Sequence, residues 1–415
     1  MRKAFHSKRF LCCPLLITLR GGVYCVESQQ RKVKFMEFKL TKEQELIQKT
    51  ARDFAEKSIE PAIDRIMKEH AIPQEILDGM KELDLLCLPI SDAYGGAGAG
   101  YQSYVVALEQ IASVSPGVAI VISVNCFGLA ALEMFGSEEL KQRYMSGACR
   151  GKHIMSIAMT EPEGADPRLI KTTAVREGDE YVLNGTKRFI TACGYEGPIV
   201  IFARESDTGQ ICGFVVEKFC EGYSISEPWE KMGLQGTPMY DVYLKDVRIP
   251  ASNMLGKLNQ GFRILKNSIA LGKIGISSIF LGTILAAYEE CLKYADERIY
   301  LGKPLTQFQY LQGDIVDIAM KYEAARWLAY RLGYLADMNE DKGTIIKDSA
   351  LTKMFITNTA VDVARTAINI HGSYGLMENY KVSRIWRDTI FGPQTEGTNA
   401  LLKSVVAMDI LKRQK

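Results

Sequence analysis

Apolar positions fall into three successive textures along this chain. Thr41-x-x-Gln44 forms a capping-box pattern in its glutamine version. Apolar or small residues then recur at helical spacing through Leu46, Ile47, Ala51, Phe54 and Ala55. The same spacing predicts helices from Gln74 to Leu85, Tyr101 to Ser113, Gly117 to Phe135 and Glu138 to Ser146. The stretch Tyr94-Gly-Gly-Ala-Gly-Ala-Gly100 reads as a linker, because no Gly-Lys-Ser/Thr follows to make a phosphate-binding loop. Near Ile154 the pattern changes to short runs rich in β-branched and aromatic residues. These predict strands at Thr172 to Val175, Glu180 to Leu183, Arg188 to Thr191, Ile199 to Ala203, Gly213 to Glu217 and Asp241 to Val247. Asn184-Gly185 between two of them predicts a hairpin turn, and the whole block predicts an antiparallel sheet. From Gly261 the 3–4 spacing returns, over Ile264 to Tyr300, Leu305 to Met338, Gly343 to His371 and Thr398 to Arg413, as expected of a bundle of long helices.

The expected fold is therefore α+β and mostly α. A helical domain (36–153) precedes a middle β-sheet domain (154–260) and a C-terminal four-helix bundle (261–415). Residues 1–35 stand apart, with eight basic residues against the single acid Glu27. They read as a mitochondrial-type transit peptide, a weak secretory signal or a non-native extension ahead of Met36, the last being preferred. A bacterial cytoplasmic location is expected, or the mitochondrial matrix if the segment is a transit peptide.

Composition narrows the function classes. The 415 residues are 47% hydrophobic and 24% charged, with net charge +2. That mixture is globular, and no basic stripe suggests a nucleic-acid partner. No uninterrupted apolar run long enough for a membrane span is apparent. Ten cysteines show no C-x-x-C pair and no zinc spacing, and Cys87, Cys126 and Cys291 sit in apolar stretches where thiols fill core. No metal site is expected.

Three segments carry candidate chemistry. In Phe391-Gly-Pro-Gln-Thr-Glu-Gly-Thr-Asn399, Pro393 and Gly397 surround a carboxylate placed just before a helix, where the helix dipole would also favour an ordinary acid. Ala158-Met-Thr-Glu-Pro-Glu-Gly-Ala-Asp166 and Asn184-Gly-Thr-Lys-Arg-Phe-Ile-Thr191 combine tight turns with strand ends, where backbone N–H groups and small hydroxyls can approach a planar ligand. Each alone also fits an ordinary turn.

With Glu297-Arg-Ile-Tyr-Leu-Gly-Lys-Pro-Leu-Thr-Gln-Phe-Gln309, Asn369-Ile-His-Gly-Ser-Tyr-Gly375 and Arg387-Asp388, these segments together resemble the acyl-CoA dehydrogenase family, over essentially Met36 to Lys415. The resemblance implies an FAD enzyme, usually a homotetramer. It would oxidise an acyl-CoA thioester to the trans-2-enoyl-CoA in fatty acid β-oxidation and pass electrons to an electron-transfer flavoprotein. It implies Glu396 as the base. It implies Ile157, Met159, Thr160, Phe189 and Thr191 beside the flavin, with Phe189 in the family's tryptophan position. It implies Arg298 at the cofactor's pyrophosphate, Phe308 and Gln309 as the cofactor-binding dipeptide of the next helix, Thr398 as a further contact, and Asn369, Gly372 and Ser373 reaching a neighbouring subunit's FAD. Some members carry the base on the first long C-terminal helix, but the matching position here is Gly272.

Departures gather at implied substrate contacts. Ala165 replaces a serine in a loop one residue short, Ala270 and Lys273 replace an Asp and an Arg, and Thr395 precedes the base where a tyrosine is usual. Gly397 follows the base. The stretch from Val114 to Asn125 resembles the short-chain, butyryl-type branch, which favours a short or compact acyl group. An enoyl-CoA reductase, an acyl-CoA oxidase and a non-catalytic scaffold are the alternatives on this fold. The scaffold reading would expect loss of Glu396 or Arg298, and both are present.

Overall fold

The computed structural model describes residues 39–338 and 345–412, with the backbone of 16–19 and 22–25. Two units separate, Met1–Thr41 and Lys42–Lys415. In the first, β1 (Leu16–Leu19) pairs antiparallel with β2 (Gly22–Cys25). The leader and extension readings otherwise lie outside the described residues.

The second unit opens with α1 (Lys42–Phe54), α2 (Ile63–Glu69), α3 (Gln74–Glu82), α4 (Gly100–Val114), α5 (Pro116–Phe135) and α6 (Glu138–Cys149). Serines set two of the starts. Ser115 accepts from the Val118 N–H at 3.3 Å ahead of α5, and Ser137 accepts from the Leu140 N–H at 3.3 Å ahead of α6. The start of α4 is satisfied from a distance: the Asp337 carboxylate accepts from the N–H groups of Tyr101 (2.6 Å) and Gln102 (3.0 Å). The apolar stripe of α1 is shorter than its spacing predicts. Ala51 and Phe54 are buried, but Leu46 is 65% exposed, because the helix packs on α4 through its C-terminal half, where Arg52 bonds Ser113 at 3.2 Å.

The middle sheet contains β3 (Ser156–Ala158), β4 (Thr173–Glu177), β5 (Glu180–Thr191), β6 (Pro198–Glu205), β7 (Ile211–Glu217), β8 (Tyr223–Ile225) and β9 (Met239–Pro250). Strand order is β3-β6-β4-β5-β9-β8, with β7 on β6. It corrects two expectations. The sheet is mixed, since β3 and β4 both run parallel to β6. And Asn184-Gly185 is no turn: it lies inside β5, at a register shift against β9. The local chemistry explains this. The Asn184 amide donates to the Asp246 carboxylate at 3.0 Å and accepts from the Asp246 N–H at 2.9 Å, tying the two strands at the irregularity. Gly185 (φ 154) lies so near Thr172 that a Cβ would approach its hydroxyl oxygen to 2.5 Å. The turn itself falls at Gly178-Asp179, between paired Glu177 and Glu180.

The C-terminal helices are α7 (Gly261–Glu297), α8 (Gln309–Met338), α9 (Ile346–His371), α10 (Lys381–Thr389) and α11 (Asn399–Lys412). A small hairpin of β10 (Ile299–Tyr300) and β11 (Lys303–Pro304) joins α7 to α8. The long-helix spacing did not predict the short α10. Two helices, α5 and α7, prove long and apolar enough to cross a membrane by length and composition, which the absence of an obvious apolar run did not anticipate. Both lie inside the protein, with 72% and 94% of their most apolar windows buried. They are core helices that other elements surround.

In the centre of α4, Glu109 is fully buried and accepts hydrogen bonds from the hydroxyls of Tyr322 and Tyr330 on α8, each at 2.7 Å. Burial pushes its carboxyl up and the two hydroxyls pull it down. Replacing Glu109 by Ala leaves two buried hydroxyls unpaired and opens a cavity. We expect a loss of roughly 2–4 kcal/mol in chemical denaturation; an unchanged midpoint would contradict this account of the α4–α8 contact.

Candidate functional site

Two consecutive left-handed residues shape the segment between α10 and α11. Pro393 opens a single helical turn at Gly392–Gln394, after which Glu396 (φ 49) and Gly397 (φ 87) reverse the chain. Thr398 then starts α11, its hydroxyl accepting from the Leu401 N–H at 3.2 Å. A left-handed conformation costs a non-glycine residue about 1–2 kcal/mol, so the surroundings must hold Glu396 there. The reversal delivers its side chain to the wall of α7. A Cβ built on Gly272 would lie 2.9 Å from Glu396 Oε2, so the carboxylate needs that position bare.

Charge around this carboxylate is unusual for an interior. Burial raises the Glu396 carboxyl above its ordinary value, while Lys273 on α7 and Lys353 on α9 pull it down. Both lysines are themselves buried, and burial depresses Lys273 to about 8 and Lys353 to about 7. Lys273 donates to the Ile269 carbonyl at 3.4 Å. Ala270, the other α7 position implied by the family pattern, is completely buried. Thr395 turns inward on its own loop, its hydroxyl donating to the Gly392 carbonyl at 3.2 Å.

Beside Leu271 of α7 lies a small cavity lined also by Tyr101, Tyr104, Ser123, Cys126, Phe127 and Ala130. One turn beyond the carboxylate, a Cβ on Gly275 would meet Ser123 Oγ at 2.2 Å and the Tyr104 hydroxyl at 2.7 Å. These two groups close the cavity against the helix.

A second group of residues forms a shelf at the end of the sheet. Ile157, Met159 and Thr160 are half-buried along and just after β3. The Arg188 N–H donates to the Thr160 carbonyl at 2.8 Å, bringing Phe189 beside them. The irregularity in β5 between Lys187 and Ile190 turns Phe189 left-handed (φ 59). Its ring is left 49% exposed, 5.3 Å from the Trp229 ring. Thr191 lies half-buried at the strand end. Open aromatic surface and small hydroxyls on fixed backbone suit a planar heteroaromatic ligand. Beneath the shelf lies a buried ion pair. Lys187 Nζ bonds Glu161 at 2.8 Å and the carbonyls of Met159 and Phe202 at 3.3 and 2.5 Å. Glu161 also accepts from the N–H groups of Lys171 and Thr172 at 2.6 and 3.0 Å. Ala165 is half-buried in the loop that follows.

The remaining candidates gather at an exposed edge of the bundle. The Arg298 guanidinium lies 5.2 Å from the Tyr374 ring, immediately after Gly372 and Ser373. The Phe308 ring is 5.9 Å from Tyr300, and Gln309 and Asn369 are exposed nearby in sequence. The cation is free for an anionic partner: among the described residues no carboxylate pairs with Arg298. Sequence reasoning missed Lys353, Tyr104 and Ser123. Lys353 carried a legible signal, a lone cation on the uncharged, buried stripe Ala350, Thr357 and Ala360; the other two carried none beyond lying on apolar helices.

An all-helical first block, a sheet presenting an aromatic shelf and a helical bundle carrying a half-buried carboxylate make a scaffold that suits a planar ligand beside an acid or base. The chain matches the acyl-CoA dehydrogenase N-terminal domain over residues 41–152, the middle domain over 156–247 and the C-terminal domain over 259–411. It belongs to the acyl-CoA dehydrogenase family. It is 34% identical to the short-chain specific acyl-CoA dehydrogenase of Clostridium acetobutylicum, over 91% of this chain and 100% of that one. It is 35% identical to the caffeyl-CoA reductase-Etf complex subunit CarC of Acetobacterium woodii, over 90% and 99%. The solved butyryl-CoA dehydrogenase of Megasphaera elsdenii superposes with a TM-score of 0.87 at 30% identity, covering 91% of this chain and all of that one. The FAD complex of PigA superposes with a TM-score of 0.85 at 26% identity, over 91% and 100%.

The ion pair beneath the shelf is a direct test of this geometry. Lys187→Met leaves Glu161 buried without its cation, a loss expected at about 3–5 kcal/mol. Denaturant titration should show it, together with faster proteolysis of the 159–172 segment; wild-type stability would mean that the pair does not hold the shelf.

Proposed function

We propose that this protein is an FAD-dependent acyl-CoA dehydrogenase in which Glu396 removes the α-proton of a short-chain acyl-CoA. The observation that carries the reading is the placement of the half-buried Glu396 carboxylate against bare Gly272, with the buried lysines Lys273 and Lys353 acting on it. A thioester α-proton is weakly acidic, so its base must be strong and shielded from water. Desolvation raises carboxylate basicity, and the best value lies near working pH. Burial does this for Glu396. Ile157, Met159, Thr160, Phe189 and Thr191 would hold the isoalloxazine ring, and Arg298 its pyrophosphate, for which a forked guanidinium is suited. Phe308, Gln309 and Thr398 would complete one cofactor site, with Asn369, Gly372 and Ser373 serving that of a neighbouring subunit in a homotetramer. Bound FAD supplies the acceptor for the β-hydrogen.

The close approach of Tyr104 and Ser123 to α7 supports a short acyl group. Gly272 and Gly275 are three residues apart, about 4.5 Å along the helix, and beyond them Tyr104 and Ser123 block the way. Ala165, Lys273, Thr395 and Gly397 would border the thioester end. An electron-transfer flavoprotein would take the electrons onward. A second reading runs the same bond change as enoyl-CoA reduction; its support is the likeness to a subunit named for caffeyl-CoA reductase.

The purified protein is expected to be yellow, and anaerobic titration with butyryl-CoA should bleach its flavin band. Glu396→Gln should bind the thioester and leave the band intact. Bleaching in the wild type should quicken as pH rises through the Glu396 value, since only the ionised carboxylate takes the proton, and that value stands above the usual carboxylate range. A colourless protein that takes up no FAD, or normal bleaching in Glu396→Gln, would overturn the reading.

A further inference from the structure

Lys353 occupies a position on α9 where the packing calls for a hydrophobe. It has no exposed surface, like Thr357 one turn later. Taking an ammonium out of water costs several kcal/mol unless good partners replace the solvent. Its partners all belong to the segment carrying Glu396. Lys353 Nζ donates to the Gly397 carbonyl at 2.9 Å and to Asn399 Oδ1 at 2.9 Å. The Asn399 amide donates in turn to Thr357 Oγ1 (3.1 Å) and Asn358 Oδ1 (2.9 Å), locking the start of α11 onto α9.

The tie falls where the backbone most needs one. Glu396 and Gly397 are both left-handed, and the carbonyl that Lys353 grips follows directly after them. The ionisable groups acting on the carboxylate come from three elements: Lys273 on α7, Lys353 on α9 and the Tyr104 hydroxyl on α4. No carboxylate forms an ion pair with Lys353 among the described residues, and Glu396 is the anion that attracts it.

We propose that Lys353 is a positioning residue for the base: its ammonium clamps the Gly397–Asn399 backbone so that Glu396 points at Gly272, and places a buried positive charge within reach of the carboxylate. It touches neither substrate nor cofactor. The inference rests on Glu396 being the base, and it separates two duties, holding the loop and favouring the ionised carboxylate, that different variants remove.

The test uses the holoenzyme with Lys353→Met, Lys353→Arg and Asn399→Ala. Infrared pH-difference spectra without substrate report protonation of Glu396, its band being the one lost in Glu396→Gln. Lys353→Met removes the charge, so Glu396 should take its proton about one pH unit or more higher, equivalent to about tenfold in the ionised fraction. The acidic limb of kcat should move with it, with KM changed far less. Lys353→Arg keeps the charge and should titrate like the wild type. Asn399→Ala loosens the loop without removing charge, so its rate should fall and its titration stay put. An unmoved titration in Lys353→Met, or an equal shift in Asn399→Ala, would overturn the proposal. If Lys353→Met does not fold, Lys353→Arg decides: a displaced titration defeats the electrostatic role. Because the infrared reading needs no substrate, it stands apart from failure of the wild type to bleach with acyl-CoA, which would defeat the proposed function instead.

Discussion

The constraint that organises the C-terminal helices is the placing of one half-buried carboxylate against bare backbone on α7. Glu396 can sit there only because Gly272 carries no side chain and because two buried lysines favour its charge. Each of those features makes its own demand. The lysines need partners, which Lys353 finds on the Gly397 carbonyl and Asn399. The left-handed backbone needs restraint, which the same contacts supply. A buried charge left unpaired costs far more than a paired one, so the loop, α9 and the start of α11 are bound to one another by electrostatics as much as by packing.

The sheet domain solves a similar problem by different means. Its shelf must be rigid yet expose an aromatic ring, which an uninterrupted ladder would not allow. An irregular β5 turns Phe189 outward, while Lys187 and Glu161 fasten the neighbouring backbone from below. Interior charge again serves to fix backbone geometry, here through the carbonyls of Met159 and Phe202.

Much of this was legible in the sequence. Helical spacing located α3 to α9 and α11 within a few residues, since long amphipathic or wholly apolar runs state their period clearly. Motif order led to Glu396 and to the shelf. The failures have physical causes. Asn184-Gly185 has the composition of a turn, but its conformation is decided by Asp246 and Thr172, residues distant in sequence. The parallel pairings of β6 depend on chain crossings that alternation does not encode. Leu46 fits the stripe of α1 yet lies beyond the reach of its partner helix. Lys353 broke the apolar pattern of α9 openly, and its meaning appeared only when the fold showed what its ammonium reaches.

Gly272 also bears on how such a site can change over generations. A glutamate introduced there would compete with Glu396 for the same few cubic ångströms, and two carboxylates so close could not both stay ionised. Losing Glu396 first would leave the loop without its carboxylate. Under the proposed function, moving the base from the Glu396 loop to α7 therefore meets a steric and electrostatic conflict at its first step. The two placements compete for one volume, that of the side chain Gly272 lacks.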